Sequence, residues 1–106
     1  MKSYYPHALE TLEREILKAY PDAKPDKNAI DTDMPSYLLW MIEKMRTFDV
    51  TSLKDALKAA RWLGWIWRVV ESELKLWDNS RSRELTRIDV HNGYDEPQKK
   101  EITNES

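Results

Sequence analysis

The stretch that decides the fold runs from Ser52 to Trp77 and reads SLKDALKAARWLGWIWRVVESELKLW. It holds four of the five tryptophans of the chain and no proline. Its apolar residues recur at alternating intervals of four and three, which predicts one amphipathic helix over 52–77, about seven turns long. The stripe expected to face the core is Ala56, Ala60, Leu63, Trp67, Val70, Leu74 and Trp77. Trp62, Ile66 and Val69 widen this stripe, so the helix should contact two neighbours.

The opposite face of this helix carries a tryptophan among cationic residues. Arg61 precedes Trp65 by four residues and Arg68 follows it by three, so both guanidinium groups can reach the indole on a helical surface. Lys58 lies on the same polar side, and Trp40 lies off the apolar face of the preceding helix. We predict these five residues as the binding site.

Three interpretations of Trp65 remain open. Tryptophan and arginine dominate the hot spots of protein interfaces, so Trp65 can be the anchor of a contact with a partner or with a second copy. An indole beside two arginines can also stack on a base while the arginines hold a phosphate. The third interpretation is that the linker or the tail of this same chain covers the ring.

The composition limits the classes of protein to consider. A chain of 106 residues supports one domain, and 17 basic against 19 acidic residues give a net charge of −2, which makes no strong case for duplex nucleic acid. The chain contains no cysteine, which excludes disulfides, thiolate metal sites and thiol nucleophiles. No run of about 18 apolar residues predicts a membrane span. We expect a cytoplasmic protein.

The sequence shows no catalytic pattern. His7 and His91 lie at opposite ends of the chain and have no metal-ligand spacing. Two glycines are too few for phosphate-binding loops such as the P-loop or the dinucleotide fingerprint. We therefore predict no enzyme activity, no cofactor and no metal site.

Start and stop signals place two shorter helices before the long one. Pro6 suits the first turn of a helix over 7–20, and Asp33 is a candidate N-cap for a helix over 34–47. Ser52 should cap the long helix, with Asp55 reaching back to it in a capping box. The prediction is an all-α fold with a single domain over 1–91, in which two shorter helices pack on one long C-terminal helix. A disordered, flexible polar tail should follow over 92–106.

Two segments resemble a known group of proteins. These are LLWMIEKM at residues 38–45 and KAARWLGWIW at residues 58–67. The chain is similar in them to small all-helical proteins of unknown function encoded by tailed bacteriophages. The positions that match the shared segment are Lys58, Arg61, Trp62, Leu63 and Gly64, whereas Trp67 and Arg68 depart from it. The resemblance implies a phage accessory protein that acts in the host cytoplasm, with a host protein as a partner.

The functional expectation is a non-enzymatic protein that acts by protein–protein interaction or self-association through the helix over 52–77. The chain has more large aromatic side chains than the core of a bundle of about 70 ordered residues can bury. We therefore favour a homodimer. The alternative is a small-ligand binder that takes a nucleotide or another phosphorylated molecule at the arginine and tryptophan patch.

Overall fold

The computed structural model describes residues 3–92, in which all regular secondary structure is helical. The helices of this part are α1 (Pro6–Ala19), α2 (Met34–Met45), α3 (Leu53–Arg68) and α4 (Asn79–Asn92), with a π-helical turn (Val69–Glu73) directly after α3. Helix α1 packs against α2 and α4, and α2 packs against α3. The all-α prediction is confirmed. The predicted tail lies, from residue 93 onward, outside the described residues.

The predicted three-helix arrangement is not confirmed, because the helix expected over 52–77 ends early and a fourth helix follows. The Ser72 hydroxyl donates to the Arg68 carbonyl at 2.6 Å, a back-bond of the kind that bends helices. The Leu74 N–H then donates to the Val69 carbonyl at 2.9 Å, the spacing of a π turn. Lys75 adopts a φ of 52° and reverses the chain where glycine is the usual residue. No glycine or proline marks this end in the sequence.

Helix α4 begins at a local cap and is held to α3 by tryptophan side chains. The Asp78 carboxylate accepts hydrogen bonds from the Ser80 hydroxyl and from the N–H groups of Ser80 and Arg81. These bonds, the one from the Ser80 hydroxyl first, lower the pKa of Asp78. The indole N–H of Trp67 donates to the Thr86 hydroxyl at 2.9 Å, and the Trp77 indole donates to Ser82, also on α4.

A buried carboxylate of α4 caps the N-terminus of α1. Pro6 opens α1 as predicted, but the N-cap residue Tyr5 offers no side-chain hydrogen bond to the helix. Asp89 supplies it instead, accepting from the His7 N–H at 2.9 Å and from the Ala8 N–H at 2.7 Å. These are two of the N–H groups that the first turn of a helix leaves unpaired. Asp89 is 2% exposed, so this contact closes the α1–α4 side of the fold.

The other predicted caps are present, with one difference. The Asp33 carboxylate accepts from the Ser36 N–H, and the Ser52 hydroxyl accepts from the Asp55 N–H. The Asp55 carboxylate, however, accepts from the Asp49 N–H at 2.8 Å rather than from Ser52. The Ser52 N–H is not available to Asp55, because it donates to the Asp49 carbonyl in the tight turn before α3. The same turn brings the Asp49 N–H within reach of the Asp55 carboxylate.

The N-terminal lead is tied to that same turn. The Tyr4 hydroxyl donates to the main-chain carbonyls of Asp49 at 2.9 Å and Ser52 at 3.1 Å. Burial, followed by the nearby carboxylates of Asp49 and Asp55, raises the pKa of Tyr4. The Tyr4 hydroxyl therefore stays protonated, as a hydrogen-bond donor must.

The core side of α3 is rotated from the predicted stripe. Ala59 is fully buried, whereas Ala60, which the pattern placed in the core, is exposed. The buried residues of α3 and the π turn are Ala59, Leu63, Ile66, Val69 and Val70. They belong to the same core cluster as Leu12 and Ile16 of α1 and Leu38 and Ile42 of α2. The rotation turns the tryptophan side of α3 toward α2.

Candidate functional site

An aromatic seam joins α2 to α3. It consists of Tyr37, Trp40, Phe48, Trp62 and Trp65, whose ring centroids lie 5.3 to 6.0 Å apart in successive pairs. Two of the four pairs are edge-to-face, which is a favoured geometry of aromatic rings. The Lys58 ammonium lies 5.0 Å from the centroid of the Phe48 ring and 5.4 Å from that of Trp62. Phe48 is buried and the other four residues are half-buried, so contacts within the chain cover the seam in part.

The five predicted site residues fall into three places. Trp40, Lys58 and Trp65 belong to the seam, and Trp65 meets the Tyr37 ring edge-on at 5.9 Å. Arg61 is exposed on α3. Arg68 is also exposed and lines a groove that faces α4. Among residues 3–92 the cations that lie over aromatic rings are Lys58 and Arg81, so neither arginine of the predicted patch covers the Trp65 indole.

One line of residues along α3, beside its buried arc, is apolar. Leu53 is 75% exposed and Leu57 is 58% exposed, although both are large hydrophobic residues. Ala60 and Gly64 continue the same line at helical spacing, and a Cβ added at Gly64 would meet no heavy atom within 4 Å. We call Leu53, Leu57, Ala60 and Gly64 the outward stripe. Its length along the helix axis is about 17 Å.

A groove lies where α3 and the π turn face α4. Its volume is ≈ 620 Å³, within the range of small-molecule sites. Gly64, Trp67 and Arg68 of α3 line one side, Glu71 lies on the π turn, and Arg83 and Arg87 of α4 line the other side. One carboxylate oxygen of Glu71 is buried and has no hydrogen-bond partner in the described part of the chain.

Sequence reasoning missed the outward stripe and the groove for different reasons. Leu53 and Leu57 are four residues apart and lie beside the buried arc rather than in it, and this spacing was a readable signal of a second apolar line. The groove had no such signal, because it forms only when Trp67 donates to Thr86 and brings α4 alongside α3. The sequence shows that Arg83 and Arg87 are four residues apart and share one side of a helix. It does not show that this side faces α3.

Among residues 3–92, no three His, Asp or Glu side chains are grouped closely enough to hold a metal ion. None of the described helices is long and apolar enough to cross a membrane. Comparison of the chain with protein-family models, curated proteins and solved structures finds no match. The similarity to phage proteins therefore stays a prediction.

Proposed function

We propose that this chain is a non-enzymatic interaction protein that pairs with a second copy of itself through the outward stripe of α3. The observation that carries the proposal is the exposure of Leu53 and Leu57 on one face of a helix. Burying an exposed leucine side chain contributes about 1.5 to 3 kcal/mol. Two copies that cover each other's leucines gain this contribution four times, against the cost of association.

The order of large and small residues in the stripe suits an antiparallel pair of α3 helices. With the two-fold axis between Leu57 and Ala60, Leu57 of one copy is level with Ala60 of the other. In the same register, Leu53 is level with Gly64. Each large side chain therefore meets a small residue, which lets the helices approach closely while the leucines fill the space. Antiparallel helix dipoles also attract each other.

A parallel pair has no such fit. It would place the leucines of both copies together at one end and leave Ala60 and Gly64 of both copies facing each other across a gap. A stripe that is its own complement when reversed is what an isologous dimer requires, since the same surface serves both subunits. We therefore favour a second copy as the partner over an unrelated protein.

Single-cysteine variants test the register, because the chain contains no cysteine of its own. Leu53→Cys and Gly64→Cys proteins are mixed and exposed to a mild oxidant. The antiparallel pair places these two positions level, so the mixture should form a disulfide-linked heterodimer. Leu53→Cys alone should not crosslink, because its two copies lie about 17 Å apart along the axis, beyond the reach of a disulfide.

A Lys18→Cys variant, exposed on α1, controls for random collision. Crosslinking of Leu53→Cys with itself, but not with Gly64→Cys, would contradict the antiparallel register. If no variant crosslinks above the Lys18→Cys level, the pairing is wrong. The stripe would then be left for a different partner, such as the host protein that the phage resemblance implies.

A further inference from the structure

The groove between α3 and α4 is positively charged in a protein whose net charge is negative. Arg68, Arg83 and Arg87 line it against the single carboxylate of Glu71, whereas the whole chain carries −2. The ion pairs of the described residues are Arg14 with Glu15 and Arg46 with Glu13, so none of the groove arginines is neutralised by an ion pair in this part of the chain. Three unpaired guanidinium groups that line one groove attract an anion, and they suit phosphate oxygens in particular.

Glu71 adds a second requirement. One carboxylate oxygen of Glu71 is buried and accepts no hydrogen bond from the described residues, so its desolvation is not compensated. Such atoms are rare in folded proteins. Glu71 lines the groove, so a rotation of its side chain would present this oxygen to a ligand that donates an N–H. Glu71 lies on the π turn that ends α3.

The walls of the groove are held in place. The Trp67 indole N–H donates to Thr86, and the Thr86 hydroxyl donates in turn to the Ser82 carbonyl at 3.0 Å. The Trp77 indole packs edge-on against Trp67 and donates to Ser82. The backbone of α4 that carries Arg83 and Arg87 is therefore held beside α3, as the support of a ligand site requires.

We infer that this groove binds a phosphorylated ligand of nucleotide size. The phosphate contacts Arg83 and Arg87, and an N–H donor of the base pairs with Glu71. The site goes beyond the pairing through α3 and does not depend on it, because the arginines of α4 are not part of the outward stripe. Gly64, at which the stripe meets the groove, is the residue common to both.

Two-dimensional ¹H–¹⁵N NMR of the full chain, titrated with the four ribonucleoside 5′-monophosphates, tests the inference. The indole signals of Trp67, which lines the groove and lies outside the outward stripe, report on the groove. We expect these signals to shift, with the guanine nucleotide binding most tightly, because guanine offers two adjacent N–H donors to a carboxylate. Guanosine and inorganic phosphate, which each supply half of the ligand, should bind more weakly than the nucleotide.

Variants separate the two ends of the site. Arg83→Gln with Arg87→Gln should weaken nucleotide binding at least about ten-fold, because charge-assisted hydrogen bonds are lost. Glu71→Gln should weaken the nucleotide and guanosine but not inorganic phosphate. The matched control is Arg61→Gln, an exposed arginine of α3 that does not line the groove, and it should bind as the native chain does.

Three results would overturn the inference. The first is that no monophosphate shifts the groove signals at millimolar concentration. The second is that the double arginine variant binds as tightly as the native chain. The third is that Arg61→Gln weakens binding as much as the double variant does, since this would mean nonspecific attraction to surface charge. A failure of the nucleotide site leaves the cysteine crosslinking result unchanged, so the two proposals fail separately.

Discussion

Two faces of α3 differ in how much of their surface the chain itself covers. The face toward α2 carries Trp62 and Trp65, and their rings contact Tyr37, Trp40 and Phe48. The outward stripe carries no aromatic residue, yet its two leucines lie in solvent. Aromatic residues beside cations thus do not by themselves mark a free binding surface. A surface is available to a partner when nothing in the chain packs on it, and here that surface is made of leucine, alanine and glycine.

Removing one large residue from each face tests whether the chain covers the two faces to different extents. Trp62→Ala deletes ring contacts with Trp40 and Phe48 and the cation above them. It should lower the free energy of unfolding by about 2 to 4 kcal/mol. Leu57→Ala, measured by urea unfolding at a concentration low enough to keep the chain monomeric, should change it by less than about 0.5 kcal/mol. Equal losses would mean that the two faces do not differ in cover.

The stability of the fold also depends on the contact of α4 with α1. Asp89→Ala leaves the His7 and Ala8 N–H groups without their acceptor, the second of them buried, and removes the anion from the helix N-terminus. We expect a loss of about 2 kcal/mol in the free energy of unfolding. Glu84→Ala removes an exposed carboxylate from the same helix and is the matched control. A loss as large in the control would show that charge on α4, rather than the cap, is responsible.

Features set by neighbouring residues could be predicted from the sequence. The caps at Asp33 and Ser52 and the proline start of α1 follow from side chains within three positions of the helix end. The end of α3 could not be predicted, because Lys75 takes the conformation that glycine usually signals. The cap from Asp89 could not be predicted either, since Asp89 lies more than 80 positions from His7 and Ala8 in the sequence.

The candidate site was predicted only in part, and for a related reason. Helical spacing showed that Arg61, Trp65 and Arg68 share one side of α3, but it could not show that Tyr37 of another helix packs on the middle residue. Contacts between helices decide which residues of a face stay free, and these contacts are not periodic in the sequence.

Gly64 lies in the outward stripe, at a position where an added side chain has room. Nothing lies within 4 Å of a Cβ at this position, so Gly64→Ala should stabilise the monomer by about 1 kcal/mol through helix propensity alone. Ala59→Gly, at a fully buried position of the same helix, should instead destabilise it by at least about 1 kcal/mol. Thermal unfolding of dilute samples measures both. A loss of stability in Gly64→Ala would mean that the outward stripe is covered after all.

Lys58 gives the smallest expected effect, because its contact with the seam is partly solvated. Lys58→Ala removes the cation above the Phe48 and Trp62 rings and should cost about 0.5 to 1 kcal/mol. Lys54→Ala, at an exposed position of α3, should cost less. Chemical unfolding in parallel compares the two, and an equal cost would indicate that the cation contributes nothing to the seam.

The most direct test of the central claim, that the outward stripe pairs two copies of this chain, is sedimentation equilibrium over a range of concentrations. The native protein should approach twice its 12.6 kDa chain mass at high concentration and dissociate on dilution. Leu57→Glu, which places a charge in the middle of the stripe without touching the core, should remain at 12.6 kDa throughout. A native protein that stays at the mass of one chain at every concentration would contradict the account.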